Sequence, residues 1–140
     1  MKLLRVLPFF FLCSVTLTAQ SVLGKWKTID DETGEEKSIV EIYQSDGKVY
    51  GKIVEILNPK KKNAVCDKCD GDQKNKPILG MKIIDGLEPD DDVYEGGTIL
   101  NPSNGKVYKC RLKIEDDPDT LQVRGYVAFF YKTQYWQRVK

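Results

Sequence analysis

The most explicit chemical spacing in the chain is Cys66-Asp67-Lys68-Cys69. Two cysteines separated by two residues serve three chemistries. A redox pair normally sits where a strand feeds a helix N-terminus, which lowers the thiol pKa. Here the pair lies in a Lys- and Asp-rich stretch between Pro59 and Pro77, which disfavours that use. A zinc site needs four donors. Cys66, Cys69 and Cys110 supply three, and the chain contains no histidine to complete the set. The reading left in front is a structural disulfide between Cys66 and Cys69, with Cys110 a buried free thiol. Closing so short a loop contributes about 2 kcal/mol by chain entropy. A bridge from Cys110 to either loop cysteine stays open as an alternative.

The missing histidine reaches further. It removes Ser-His-Asp and Cys-His nucleophiles, imidazole general bases and imidazole pH switches. Carboxylates, Tyr and Lys remain as catalytic material, but nothing in the sequence assembles them. Asp90-Asp91-Asp92 and Glu115-Asp116-Asp117-Pro118-Asp119 lack the spacing and the closing Glu of a calcium loop and read as solvated turns. Lys60-Lys61-Lys62 reads as a solvated loop, with a weak anion-facing surface as the alternative. No nucleotide motif, serine elbow or phosphate loop is present. No catalytic residue, cofactor or metal is expected.

The elements that carry these residues are strands. Asp46-Gly47 joins Ser38–Gln44 to Lys48–Leu57, and Asp-Gly between two β-rich runs is a strong hairpin signal. Asn104-Gly105 repeats it between Thr98–Asn101 and Lys106–Glu115. Leu23–Ile29, Met81–Leu87, Leu121–Phe129 and Thr133–Val139 complete about eight strands. In Val107–Glu115 the residues Tyr108, Cys110, Leu112 and Ile114 share one face, and Lys109, Arg111, Lys113 and Glu115 the other. Period two with one apolar face marks a strand between core and water. Sequential antiparallel strands with no helix to cover them close most simply into an up-and-down barrel, which removes exposed edges. A two-sheet sandwich is the alternative. The stretch 58–80, which holds Cys66 and Cys69, is long for a loop in so small a domain, and such loops tend to be functional or stapled.

Of the 140 residues, the first twenty read as an address. Lys2 and Arg5 precede an apolar run from Leu7 to Val15, and small Ala19 ends it, the pattern of a cleaved signal peptide covering 1–19. Cys13 follows bulky Leu12 and is not expected to be lipidated. Loss of 1–19 would turn 22 basic residues into 20 against 21 acidic. A single near-neutral domain over 20–140 then has no bulk attraction for nucleic acid and no transmembrane segment. Its destination would be the periplasm or the exterior, where disulfides form.

Several segments together carry a family likeness: G-K-W-K-T-I-D-D-E-T-G from Gly24, C-D-K-C from Cys66, K-P-I-L-G from Lys76, G-G-T-I-L-N-P-S-N-G-K-V-Y-K-C from Gly96, V-R-G-Y from Val123 and W-Q-R-V from Trp136. Their order and spacing resemble the bacterial exported family known as domain of unknown function 2147. The resemblance implies a small exported barrel related to lipocalins and other calycins, and no activity. It also implies that Trp26, in Gly24-Lys25-Trp26, closes one barrel end beneath Arg138. An ordinary exposed Arg138 is the alternative.

Two questions about the lumen follow. Arg124 shares a face with Gln122 and Tyr126. If that face is interior, the lumen suits a carboxylate or phosphate; if exterior, Leu121, Val123 and Val127 are core, and the alternation tips that way. The candidate ligand contacts are Tyr50, Tyr108, Arg124, Tyr126 and Trp136. The function expected is non-enzymatic binding of a small apolar or amphipathic ligand, or of a partner. The alternatives are a filled barrel that serves as a structural domain, and a thiol-redox or carboxylate enzyme.

Overall fold

A computed structural model describes residues 8–9 and 21–140. The expected leader at 1–19, its cut after Ala19 and Cys13 therefore lie outside the described residues, apart from Pro8 and Phe9. Eight strands follow in order: β1 Gly24–Ile29, β2 Glu36–Ser45, β3 Lys48–Ile56, β4 Lys82–Asp90, β5 Val93–Asn101, β6 Lys106–Ile114, β7 Thr120–Val127 and β8 Phe130–Arg138. Each pairs antiparallel with the next, and β8 returns to β1, giving a closed barrel. The all-β up-and-down barrel expected from the sequence is the observed architecture.

Turn chemistry explains most of the connections. Asp46 and Gly47 both have positive φ, 51° and 78°, as a two-residue type I′ hairpin requires. Asn104-Gly105 behaves differently from the expected copy of this turn. The loop between β5 and β6 is four residues long, Pro102 to Gly105, and the Gly105 amide donates to the Asn101 carbonyl at 2.8 Å. Gly105 alone is left-handed there, at φ 73°. The strand β5 also begins at Val93, earlier than the Thr98 expected, because Gly96 and Gly97 sit at a register shift inside the strand. Asp91 and Asp92 form the turn before it.

Strand alternation sends Val40, Ile42, Val49, Ile53, Leu87, Leu112, Leu121, Val123 and Trp136 inward, all buried. One end of the barrel gathers the turns at 46–47, 91–92 and 115–119 with the segments before β1 and after β8. It is sealed. Trp26 is fully buried and donates from Nε1 to the Val22 carbonyl at 2.8 Å. The guanidinium of Arg138 lies 4.3 Å from the Trp26 ring centroid and donates from Nη2 to the carbonyls of Ser21 at 3.0 Å and Pro118 at 3.2 Å. Asp119 faces its Nε at 3.4 Å.

The other end is bordered by the β1–β2, β5–β6 and β7–β8 turns and the long connection 57–81. That connection is ordered by its own backbone bonds. Cys66 N–H donates to Lys76 O at 2.9 Å, Asn75 N–H to Cys66 O at 2.8 Å, and Ile78 N–H to Ala64 O at 3.0 Å. The expected disulfide joins Cys66 and Cys69, whose Cα atoms are 5.3 Å apart. Both residues are buried, so the pair offers little surface to a thiol-exchange partner. Cys110 is a free thiol on the inner face of β6, and burial pushes its pKa up to about 12. It should resist alkylation at pH 8 while the barrel is folded and react once denatured. Peptide mapping after alkylation in the two states checks this, and a Cys110 that reacts equally in both would mean the strand is not buried as described.

Candidate functional site

The open end leads into a cavity of about 250 Å³. Its depth is apolar: Ile53 from β3, Ile83 from β4, Ile99 from β5, Val123 from β7 and Trp136 from β8. Ile53, Val123 and Trp136 reach the lumen in phase with the core positions of their strands, whereas Ile83 and its neighbour Ile84 are both buried because the β3–β4 register shifts beside them. Tyr108 from β6 lies above them, in space left by Gly125, where a Cβ would come within 3.3 Å of the Tyr108 Cβ. The Tyr108 hydroxyl accepts from Asn104 Nδ2 at 2.9 Å, which ties the aromatic ring to the β5–β6 turn.

The rim is polar. Thr28 and Ser38 share a hydroxyl hydrogen bond of 2.8 Å across β1 and β2. Gln134 Oε1 accepts from Trp136 Nε1 at 3.2 Å and so satisfies the one polar atom of the deep aromatic. Lys37 and Lys132 complete the rim. Lys37 Nζ lies 3.6 Å from Asp30 Oδ2 and donates to Ser103 Oγ at 3.5 Å. Lys132 Nζ lies 3.5 Å from Asp31 and 3.9 Å from Glu32. The amides of Thr33 and Glu32, and then Lys37, hold the Asp30 carboxyl below the usual carboxylate range. The β1–β2 turn thus tethers both rim ammonium groups without covering them. Among the described residues lining this cavity there is no Asp or Glu, and a pair of inward carboxylates, the material for hydrolysis, is not assembled here.

The long connection contributes no side chain to this cavity and meets it through a neighbouring space. That smaller space, of about 110 Å³, runs between Ala64 and Ile78 of the connection and Ile53 and Ile56 of β3, and it shares Lys37, Ser38, Pro102 and Ser103 with the larger one. The disulfide docks this loop onto the β5–β6 turn. Cys66 Sγ lies 3.6 Å from the Pro102 carbonyl, and the Lys68 carbonyl fills the place a Cβ of Gly105 would occupy.

The sequence-based ligand contacts divide. Tyr108 and Trp136 line the cavity. Tyr50, Arg124 and Tyr126 do not: each is one residue out of phase with the core and projects from the outer face. Tyr50 stacks on Tyr43 at 5.8 Å, outside β2 and β3. Arg124 lies 4.6 Å over the Tyr131 ring and donates from Nε to Thr133 Oγ1 at 3.0 Å. Tyr126 packs against Tyr131 at 5.8 Å. The alternation that tipped Arg124 outward is the arrangement found, with Leu121 and Val123 in the core, although Val127 near the strand end is exposed. Thr28, Ser38, Gln134, Lys37 and Lys132 went unnoticed because polar residues at strand positions pass for solvent-facing ones. Phase is the signal for four of them: Thr28 follows Trp26 by two, Ser38 precedes Val40 by two, and Lys132 and Gln134 precede Trp136 by four and two; Lys37 is out of phase and carries no such signal.

The profile of a bacterial family of uncharacterised conserved proteins, DUF2147, matches residues 24–138, nearly the whole barrel. The chain belongs to the DUF2147 family. Among solved structures, this DUF2147 barrel is similar to protein HP1028 from the human pathogen Helicobacter pylori, described as belonging to the lipocalin family. The TM-score is 0.74 and the identity 20%, over 86% of this chain and 84% of that one. At that identity the likeness establishes a shared lipocalin-like fold. No curated protein sequence matches this DUF2147 chain significantly.

Proposed function

We propose that this protein is an exported, non-enzymatic barrel that holds a small amphipathic molecule in its open end. The observation that carries this reading is the cavity itself, apolar in depth and polar at the mouth with two lysines, which suits an apolar body with an anionic or hydrogen-bonding head. A cavity of 150 Å³ lined by apolar side chains holds benzene, so about 250 Å³ fits roughly ten non-hydrogen atoms. The leader-like N-terminus and the Cys66–Cys69 disulfide support export. The domain proposed is 20–140, with no nucleic-acid partner.

Octanoate is a suitable probe. It should bind saturably and change the fluorescence of Trp136, which lines the cavity, while Trp26 at the sealed end stays silent. Ile99→Trp, which fills the cavity, should abolish the signal. The neutral analogue octanol should bind more weakly than octanoate if Lys37 and Lys132 meet the head group. Failure of both probes in a folded protein would leave the barrel as a structural domain.

A further inference from the structure

The outer face of β6, β7 and β8 is charged and aromatic in a graded order. Alternation places Lys109, Arg111, Lys113 and Arg124 on it. Arg111 and Arg124 stand directly opposite one another in the β6–β7 register, an arrangement of like charges that normally disfavours a strand pair. Among the described residues, no carboxylate lies within ion-pair distance of either. Arg111 donates from Nη2 to Gln122 at 3.3 Å and leaves its buried Nε without a partner. Arg124 rests on Tyr131. Two groups of acids sit at the margins: Asp92 lies 3.7 Å from Lys113, and Asp31 and Glu32 hold Lys132. Glu95 of β5 is the acid that faces Arg111, and its hydrogen bond with Asp90 holds its carboxyl above the usual range.

Above Arg111 and Arg124, toward the open end, come Tyr126 and Tyr131 with Lys109 level with Tyr126, and above them the tip of the β7–β8 hairpin; Tyr135 lies on the same face on the other side of Arg124. Phe129 is 99% exposed and Phe130 78%. Val107 and Val127 are exposed beside them. Apolar side chains gathered on one exposed tip mark a contact surface.

We propose that this face docks on an anionic phospholipid bilayer, with Phe129 and Phe130 entering the acyl boundary and Arg111, Arg124 and Lys109 meeting lipid phosphates. The order along the hairpin carries the choice of partner. Apolar tip, a band of Tyr126, Tyr131 and Lys109, and then the arginine pair succeed one another as acyl chain, interface and headgroup do with depth. From the last β7–β8 pair, Val127–Phe130, to Arg124–Thr133 is three residues, or about 10 Å at strand rise, which matches the depth to which interfacial segments bury. Lys132 and Gln134 of the same hairpin line the cavity on their inner side. On the ligand-binding reading above, docking would bring the cavity mouth to the lipid surface.

The test is co-sedimentation of the mature chain with vesicles of phosphatidylcholine alone and with phosphatidylglycerol added. Binding is expected only to the anionic vesicles and is expected to weaken with salt. Arg124→Gln should lower it roughly fivefold, and Phe129→Ser with Phe130→Ser about tenfold or more. Phe129 and Phe130 are exposed, so thermal unfolding of their variant should match the parent. Arg124 is half-buried, and Arg124→Lys, which keeps the charge, should retain the vesicle binding that Arg124→Gln loses. Phe129→Trp gives a second readout, a blue shift of its emission on anionic vesicles. No binding, equal binding to phosphatidylcholine, binding indifferent to the two phenylalanines, or capture of soluble polyglutamate with the same dependence on Phe129 and Arg124 would each overturn the proposal, the last in favour of an acidic protein partner. Ile99→Trp separates the two readings: vesicle binding should survive it while octanoate binding is lost.

Discussion

Trp26→Ala is expected to remove about 4 kcal/mol of folding stability, the middle of the range for a buried aromatic truncated to alanine. The indole is fully buried, its Nε1 is satisfied by Val22, and no neighbouring loop is free to collapse into the space because β1 is paired on both sides. Arg138→Ala should cost about 2 to 3 kcal/mol, since three backbone carbonyls lose a charged donor and the ring loses its cation. The two losses should not add. Urea denaturation of both single variants and the double variant should give a coupling of about 1 to 2 kcal/mol. Coupling below about 0.5 kcal/mol would mean that Arg138 merely lies over Trp26 and that its carbonyl contacts do the sealing.

The second large effect concerns Gly105→Ala. Two independent causes add there. A left-handed conformation costs a non-glycine residue about 1 to 2 kcal/mol, and the new Cβ would overlap the Lys68 carbonyl and crowd the Cys69 amide, both backbone and neither able to rotate away. The expected loss is about 3 kcal/mol. Its signature should be local. The long connection leaves the β5–β6 turn, limited proteolysis cuts it among Lys60, Lys61 and Lys62, and octanoate exchanges faster through the widened mouth. Gly34→Ala is the control for conformation alone, because Gly34 is also left-handed and has open space around its Cβ position. Equal losses in the two variants would show that backbone conformation, not the docked loop, sets the cost.

The strands were legible where one face is apolar and the other charged, as in β6, and where turn residues demand positive φ, as at Asp46-Gly47. The barrel follows from eight such strands with no helix to cover them. The cavity was less legible. Its depth uses the same residue types as a filled core, so Ile83, Ile99 and Val123 give no sign that space lies above them. Tyr50, Arg124 and Tyr126 drew attention because aromatic and charged side chains suit a ligand, yet inward phase is decided by neighbours. Gly51 beside Tyr50 is the inward residue, and it admits Ile84 from β4, whose Cδ1 would lie 3.0 Å from a Cβ there. The four-residue turn at 102–105 depends on a loop docking against it from 36 or more positions away, and no local pattern announces that.

The wall of the barrel is not equally knit around its circumference. β7 and β8 pair along their whole length, from Thr120–Gln137 to Val127–Phe130. Among the described residues, β1 and β8 are in register only at Trp26–Arg138 and Lys27–Gln137. This short seam joins residues more than a hundred positions apart, as in the 115-position span from Leu23 to Arg138. Joining it therefore carries the largest loop-closure cost of any pairing in the chain. Until it is made, two strand edges are open templates for intermolecular pairing. Trp26 and Arg138 thus work as a latch on the last stitch, and sub-global opening of the native barrel has its easiest route along this line. An opening there would part the wall from the sealed end, opposite to the mouth through which a ligand is proposed to pass.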